Sequence, residues 1–179
     1  EFTILSISRF VSQKNIKEIL NIAFNLPNYK FIIIGDGPLY GEINMKKQEL
    51  NIKNVELVGL KKNVFKYLEE SDIYISTSFY EGLPISIIEA MSVGLPIIAS
   101  KVVGNEDTII HNQSGFLYEL GNIKMASYYI NLLAKDLKLR NSMSISSYLR
   151  QKRFFSIDKL IKKHLEIYKY FDLSRKKKI

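Results

Sequence analysis

The strongest constraint on this chain is the regular alternation of short apolar runs with amphipathic stretches, joined by connectors of a few residues. Phe2 to Ser8, Lys30 to Ile34, Val55 to Val58, Ile73 to Ser76 and Pro96 to Ala99 read as five strands. Between them, Ile16 to Leu26, Leu39 to Leu50, Val64 to Glu70 and Ile85 to Val93 carry helical spacing. Strands that are apolar at nearly every position are buried on both faces, which requires a parallel sheet with helices on each side. The expected class is therefore α/β, a Rossmann-like parallel sheet with helices on both faces. In such sheets ligands sit beyond the carboxyl ends of the strands.

The pattern changes after the fifth strand. Ser100 to Thr108 reads as a loop, Gly115 to Tyr118 as a short edge strand, and Ile123 to Lys135 and Lys138 to Gln151 as helices. A last helix is expected from Ser156, its N-cap, to Phe171, with an apolar stripe of Ile157, Leu160, Ile161, Leu165, Ile167, Tyr168 and Phe171. No internal repeat or linker interrupts the chain before residue 172.

Composition narrows the function. The chain has 179 residues, 46% of them hydrophobic, enough for one core without staples. It has no cysteine and only two histidines, His111 and His164, so neither a disulfide frame nor a zinc site is expected. The longest apolar runs, Phe31 to Ile34 and Ile85 to Ile88, fall far short of the roughly 20 residues a membrane helix needs. The chain opens on Glu1 and enters a strand at once, which reads as a piece of a longer protein. Residues 1 to 149 hold 15 basic and 15 acidic residues, whereas residues 150 to 179 hold 11 basic and 3 acidic. The formal charge of +8 thus belongs to the C-terminal end, either as a solvated helix face or as a segment attracted to anionic lipid.

The chemistry concentrates in Glu81-Gly82-Leu83-Pro84-Ile85-Ser86-Ile87-Ile88-Glu89, where two carboxylates flank a helix that Pro84 is expected to open. A helix start offers unpaired N–H groups and partial positive charge to a phosphate, and carboxylates beside it accept bonds from sugar hydroxyls. Glu81 alone could be an ordinary acid at a helix start. Glu89 stands among Ile87, Ile88, Ala90 and Met91, where an acid needs a partner such as a ribose diol. Arg9 and Lys14 follow the first strand and are suited to a diphosphate, although two basic residues in a loop are often merely solvated. The pair of acids also resembles a glycosidase dyad. Two nearby cations and a phosphate-ready helix favour transfer from an activated sugar instead. Gly35-Asp36-Gly37-Pro38 begins like a dinucleotide fingerprint, but Tyr40 stands at the third glycine, so a tight strand-to-helix turn is the better reading, with Pro38 in the first turn of the helix.

Six segments then match one family in order: Ile7-Ser8-Arg9-Phe10 with Lys14-Asn15, Ile34-Gly35-Asp36-Gly37-Pro38-Leu39, Val55-Glu56-Leu57-Val58-Gly59, Ser71-Asp72-Ile73-Tyr74-Ile75-Ser76-Thr77-Ser78, the two glutamates with seven residues between them, and Ser114-Gly115-Phe116-Leu117. Along nearly its whole length the chain resembles the C-terminal, donor-binding domain of retaining glycosyltransferases of the GT-B fold, family 4, group 1 type. The resemblance implies a donor domain over residues 1 to 171, a basic tail over 172 to 179, and an N-terminal acceptor domain absent from this chain. It implies a retaining hexosyltransferase in which Arg9, Lys14 and Glu81 are catalytic, with Arg9 and Lys14 on the diphosphate and Glu81 on the transferred sugar. Glu89 would hold the ribose, backbone groups near Leu60 and Lys61 the base, and N–H groups of Gly82, Leu83, Ile85 and Ser86 the sugar and phosphates. No cofactor or metal is implied. Pro84 stands where many relatives have glycine, and Val103 and Asp107 depart from the family's Gly-Gly-then-Glu loop.

The implied partners are a nucleotide-diphosphate sugar and, through the missing domain, a saccharide or glycolipid acceptor in bacterial surface polysaccharide or lipopolysaccharide assembly. The implied location is cytoplasmic, with peripheral contact at an anionic membrane. Nucleic acid is not expected. The alternatives are a nucleotide-sugar epimerase or phosphorylase fragment of similar build, and a non-enzymatic module for anionic lipid.

Overall fold

Every strand of the sheet is parallel. β1 (Thr3–Ile7), β2 (Lys30–Ile34), β3 (Val55–Gly59), β4 (Ile73–Ser76), β5 (Ile97–Ser100) and β6 (Gly115–Tyr118) lie side by side in the order β3-β2-β1-β4-β5-β6. The computed structural model describes the backbone of residues 1 to 176 and side-chain surroundings as far as Tyr168, Leu160 excepted. The side chains of Leu160 and Phe171 of the expected stripe, and residues 177 to 179 of the expected tail, lie outside what is described.

Eight helices connect and cover the described strands: α1 (Ile16–Phe24), α2 (Tyr40–Glu49), α3 (Phe65–Glu69), α4 (Ile85–Ser92), α5 (Val103–Thr108), α6 (Ile123–Lys135), α7 (Leu137–Phe154) and α8 (Ile157–Lys176). Side chains alternate across a strand, so each strand feeds two cores. Ile4, Ile33, Ile73, Ile75 and Ile98 pack with Ile19, Ile43 and Ile130 of α1, α2 and α6 on one face. Leu5, Ile34, Tyr74, Ile97 and Ala99 pack with Leu68 of α3 and Ile87, Ala90 and Met91 of α4 on the other. This two-sided burial is why the strands lack a polar face.

Strand order reverses where β1 meets β4, and the crevice opens at their carboxyl ends. The two strands pair only at Ile4 with Ile73 and Leu5 with Tyr74. Asp72 reinforces the join: its carboxylate accepts from Thr3 N–H at 2.8 Å and its own N–H donates to Thr3 O at 3.0 Å. Higher up, the Tyr74 hydroxyl donates to Ile7 O at 2.9 Å and accepts from Ile7 N–H at 3.1 Å.

The expected loop at Ser100 to Thr108 is corrected by the structure, because Val103–Thr108 forms α5. Val, Gly, Asn, Asp and Thr are weak helix formers, and distant partners hold this turn in place. Asn105 Nδ2 donates to Ser100 O at 2.9 Å, while Arg150 of α7 donates to the carbonyls of Thr108 and Asp107 at 2.6 and 2.7 Å. Other differences are at element ends. Pro84 is the N-cap of α4 and does not occupy its first turn, with its carbonyl accepting from Ile87 and Ile88. Pro38 lies before α2, which starts at Tyr40. Asp136 caps α7 through Leu139 N–H at 2.9 Å and starts that helix at Leu137. The last helix does not stop at Phe171 and continues to Lys176.

Candidate functional site

Two glycines set the floor of the crevice. A Cβ on Gly35 would stand 1.9 Å from Ser8 O, and one on Gly37 would stand 2.6 Å from Phe10 O. Only glycine lets the turn after β2 approach the segment after β1 so closely, with Gly35 at φ +141°. Phe10 N–H then donates to Asp36 O at 2.9 Å and Leu39 N–H to Phe10 O at 3.0 Å. The Gly-Asp-Gly-Pro turn therefore supports the Arg9 loop, in line with its reading as a tight turn.

Above this floor lies a cleft of about 400 Å³. β1 delivers Arg9 and Lys14 to it, the connection after β3 delivers Leu60 and Lys61, and the connection after β4 delivers Glu81 and Leu83. The start of α4 adds Ile85, Ser86 and Glu89. Nine of the ten residues named from sequence thus line one space, and the tenth, Gly82, lies just outside it. Gly82 instead faces α5: a Cβ on Gly104 would stand 2.5 Å from Gly82 O and 2.6 Å from Glu81 O, so α5 is pressed directly against the acidic loop.

Lys14 and Glu81 form an ion pair at 2.6 Å, with side-chain exposures of 20% and 7%. Ser78 Oγ donates to the same Glu81 Oε1 at 2.7 Å. Among the described residues Glu81 Oε2 accepts no hydrogen bond, which leaves one carboxylate oxygen available to a ligand. The loops carrying the pair are tied elsewhere too: Thr77 Oγ1 donates to Lys14 O and Asn15 O, Phe79 N–H to Gln13 O, and Gln13 Nε2 to Tyr80 O. Ser100 Oγ then holds Ser78 O at 2.6 Å. Arg9, by contrast, is exposed and makes no ion pair among the described residues.

At the start of α4, Ile85 N–H turns back onto Leu83 O at 3.0 Å. In this conformation the donors without a protein acceptor among the described residues are Gly82, Leu83 and Ser86. Burial pushes the Glu89 carboxyl above its ordinary range, as expected for an acid on an apolar helix with no ion pair among the described residues. Burial also pushes the Tyr74 phenol up to about 12, against opposing hydrogen bonds from Ser86 and Ile7, and the charges of Glu89 and Glu81 push in the same direction as burial. Tyr74 is thus a neutral post fastening β4 to the end of β1.

Sequence reasoning did not single out Tyr74, Ser8 or Asp36. Ser8 and Asp36 line the cleft, and Ser8 Oγ is buried without a hydrogen-bond partner among the described residues. Their signal in the sequence was only position after a strand. Tyr74 reads as core until its cross-strand bonds are seen.

The sequence pattern that defines the family "Glycosyl transferases group 1" matches residues 1–150. A curated relative from Escherichia coli, named UDP-Gal:alpha-D-GlcNAc-diphosphoundecaprenol alpha-1,3-galactosyltransferase, is 33% identical over 147 residues, covering 80% of this chain and 37% of the relative. A variant of S. aureus TarM, solved with Fondaparinux, alpha-GlcNAc-glycerol and UDP, superposes with a TM-score of 0.88 at 29% identity, over 94% of this chain and 35% of that one. The C-terminal domain of a glycosyl transferase group 1 family protein, LpcC from Francisella tularensis, shares the fold at TM-score 0.78 and 20% identity, with 87% of each chain covered. The chain spans only about two fifths of the length of its E. coli relative. With the family pattern matched across 150 of 179 residues, the chain belongs to the glycosyl transferases group 1 family.

Proposed function

We propose that this chain is the donor-binding half of a retaining glycosyltransferase and holds a nucleotide-diphosphate sugar in the cleft above β1 and β4. The observation that carries the proposal is the convergence of Arg9, Lys14, Glu81, Glu89 and the α4 start in one space. Arg9, exposed and unpaired, meets the diphosphate first, and Lys14 adds the second positive charge while its partner Glu81 keeps it aimed into the cleft. The N–H groups of Gly82, Leu83 and Ser86 complete the phosphate and sugar cradle. Glu81 accepts a sugar hydroxyl through Oε2, Glu89 accepts the ribose hydroxyls, and the backbone around Leu60 and Lys61 meets the base. As the glycosidic bond to phosphate breaks, charge grows on the diphosphate leaving group. Arg9, Lys14 and the helix start are already placed to stabilise it, without metal chemistry. Attack by the acceptor from the same face gives retention.

Uridine is the preferred base, supported by the UDP named for the E. coli relative and bound by the TarM variant. The acceptor is a saccharide or lipid-linked saccharide held by a second domain, in assembly of a bacterial surface glycan. The isolated chain therefore binds donor and transfers little. Calorimetric titration with UDP, GDP and their sugars tests this: binding of UDP-sugar to the wild type is expected to weaken about ten-fold or more in Arg9→Ala and Glu89→Ala. Absence of binding at millimolar nucleotide, or equal binding by both variants, would remove the assignment. Parent-protein transfer is expected to persist in EDTA, and its loss there would put a metal back into the chemistry.

A further inference from the structure

One buried acid takes no part in the cleft. Glu18, in the first turn of α1, is 6% exposed and makes no ion pair among the described residues. A carboxylate buried without a cation is costly unless donors surround it. Its donors come from three parts of the chain: Oε2 accepts from Asn15 Nδ2 at 2.8 Å, and Oε1 accepts from the Tyr118 hydroxyl at 2.9 Å and from Gly121 N–H at 3.3 Å. Burial first, then the charge and hydrogen bond of Glu18, push the Tyr118 phenol well above its ordinary range and keep it a donor.

A glutamate near the start of a helix ordinarily serves as a cap, reaching back to the backbone N–H of the residue before the helix. Here that N–H, on Asn15, donates to Ser12 O at 3.1 Å, and the Asn15 side chain caps no backbone N–H of α1. Glu18 holds the Asn15 side chain instead. Asn15 is the joint between the single turn Ser12–Lys14 and α1, and it stands in the left-handed region at φ 46°. A residue other than glycine keeps that conformation when its surroundings fix it. Thr77 Oγ1 grips the Lys14 and Asn15 carbonyls from the end of β4 at 3.0 Å each, and Glu18 grips the Asn15 side chain from the direction of β6. Lys14, next to this joint, reaches Glu81 at 2.6 Å.

We propose that Glu18 is a positioning residue for the donor site: through Asn15 it fixes the direction in which Lys14 leaves the chain, and so ties the aim of that ammonium to the edge strand β6 and the turn at Gly121. A lysine stem is flexible, so the direction of its backbone carrier decides where the charge dwells. The proposal rests on the donor reading of the cleft and gives Glu18 no contact with the donor.

The test follows the full chain by calorimetry with UDP, by ligand-detected NMR with uridine, and by melting temperature. Asn15→Gly keeps the left-handed backbone without strain and removes only the tether. It is expected to weaken UDP binding about five-fold or more, to leave uridine binding unchanged, and to melt close to wild type. Glu18→Gln is expected to do the reverse, because its amide can bond the Asn15 amide in either orientation but cannot accept from all three donors: it melts lower and keeps its UDP affinity. In a Lys14→Ala background Asn15→Gly is expected to cause no further loss. UDP affinity that tracks melting temperature across these variants, equal weakening of UDP and uridine, or the same loss with and without Lys14 would each reduce Glu18 to a structural part and overturn the proposal. If the wild type binds no UDP, the donor reading falls, and the aim of Lys14 is then decided by acetylation with acetic anhydride, mapped by mass spectrometry. Faster modification of Lys14 in Asn15→Gly, with the other lysines unchanged, sustains the tether, and an unchanged rate at Lys14 overturns it.

Discussion

Glu81 divides its work between its two oxygens: Oε1 takes Lys14 and Ser78, and Oε2 faces the cleft free of protein donors among the described residues. Replacing it with Gln leaves a largely buried ammonium without its counter-charge. Glu81→Gln is expected to lower unfolding stability by about 1–3 kcal/mol in urea, and donor affinity along with it. An unchanged urea midpoint would show that the pair contributes nothing net. Glu89 should behave oppositely. Its folded-state pKa lies above the ordinary 4.5, so the folded chain keeps this proton to higher pH than the unfolded chain. Stability from this group is present below 4.5 and is lost as pH rises through the raised value. Glu89→Gln is therefore expected to melt higher than wild type at pH 7, to show no difference at pH 4, and to bind donor less well. A lower melting temperature at pH 7 would mean that Glu89 has a stabilising partner in the folded chain.

Among the elements, α5 is the one most remote from local sequence preference. The first five strands were legible to within a residue or so at each end, because continuous Val, Ile and Leu runs between turn residues have few other uses. Val103-Gly104-Asn105-Glu106-Asp107-Thr108 was not legible as a helix. Its stability comes from Ser100, Arg150 and the backbone of Glu81 and Gly82, none of which a local window can see. This makes α5 a brace for the acidic loop, and Gly104 the point of pressure. Gly104→Ala is expected to cost about 1–3 kcal/mol and to weaken donor binding by displacing Glu81. Gly41→Ala in α2, where an added methyl meets nothing within 4 Å, is expected to be neutral or to stabilise by about 0.5–1 kcal/mol. Equal effects of the two changes on donor binding would separate α5 from the site.

For the whole molecule, the candidate site was more legible than its supports. Arg9, Lys14, Glu81 and Glu89 could be brought together from sequence because each lies after a strand or in the helix that follows one, and the fold sends such positions towards one edge. The Lys14 to Glu81 pair and the Tyr74 to Ile7 bonds each join residues 67 positions apart, a distance at which a single sequence offers no register. At the other extreme, α8 leaves Ile157, Ile161, Leu165 and Ile167 more than half exposed. A chain ending at Ser156 is thus expected to keep its stability within about 1 kcal/mol and its nucleotide affinity, by urea titration and calorimetry. A large loss would show that α8 packs more strongly than these exposures imply.

The short join between β1 and β4 carries a consequence for how the chain assembles. β1 pairs with β2 along five residues but meets β4 at only two, across a sequence gap of nearly seventy. Closing that gap costs chain entropy before any contact repays it, so joining the β1–β3 half to the β4–β6 half is expected to be the slow event in refolding. A nucleotide sugar lying over the seam would clasp the halves after they meet and not before. Donor should therefore slow unfolding and leave the refolding rate nearly unchanged, and amide protons of Ile7 and Tyr74 should gain more protection from exchange than those of β6.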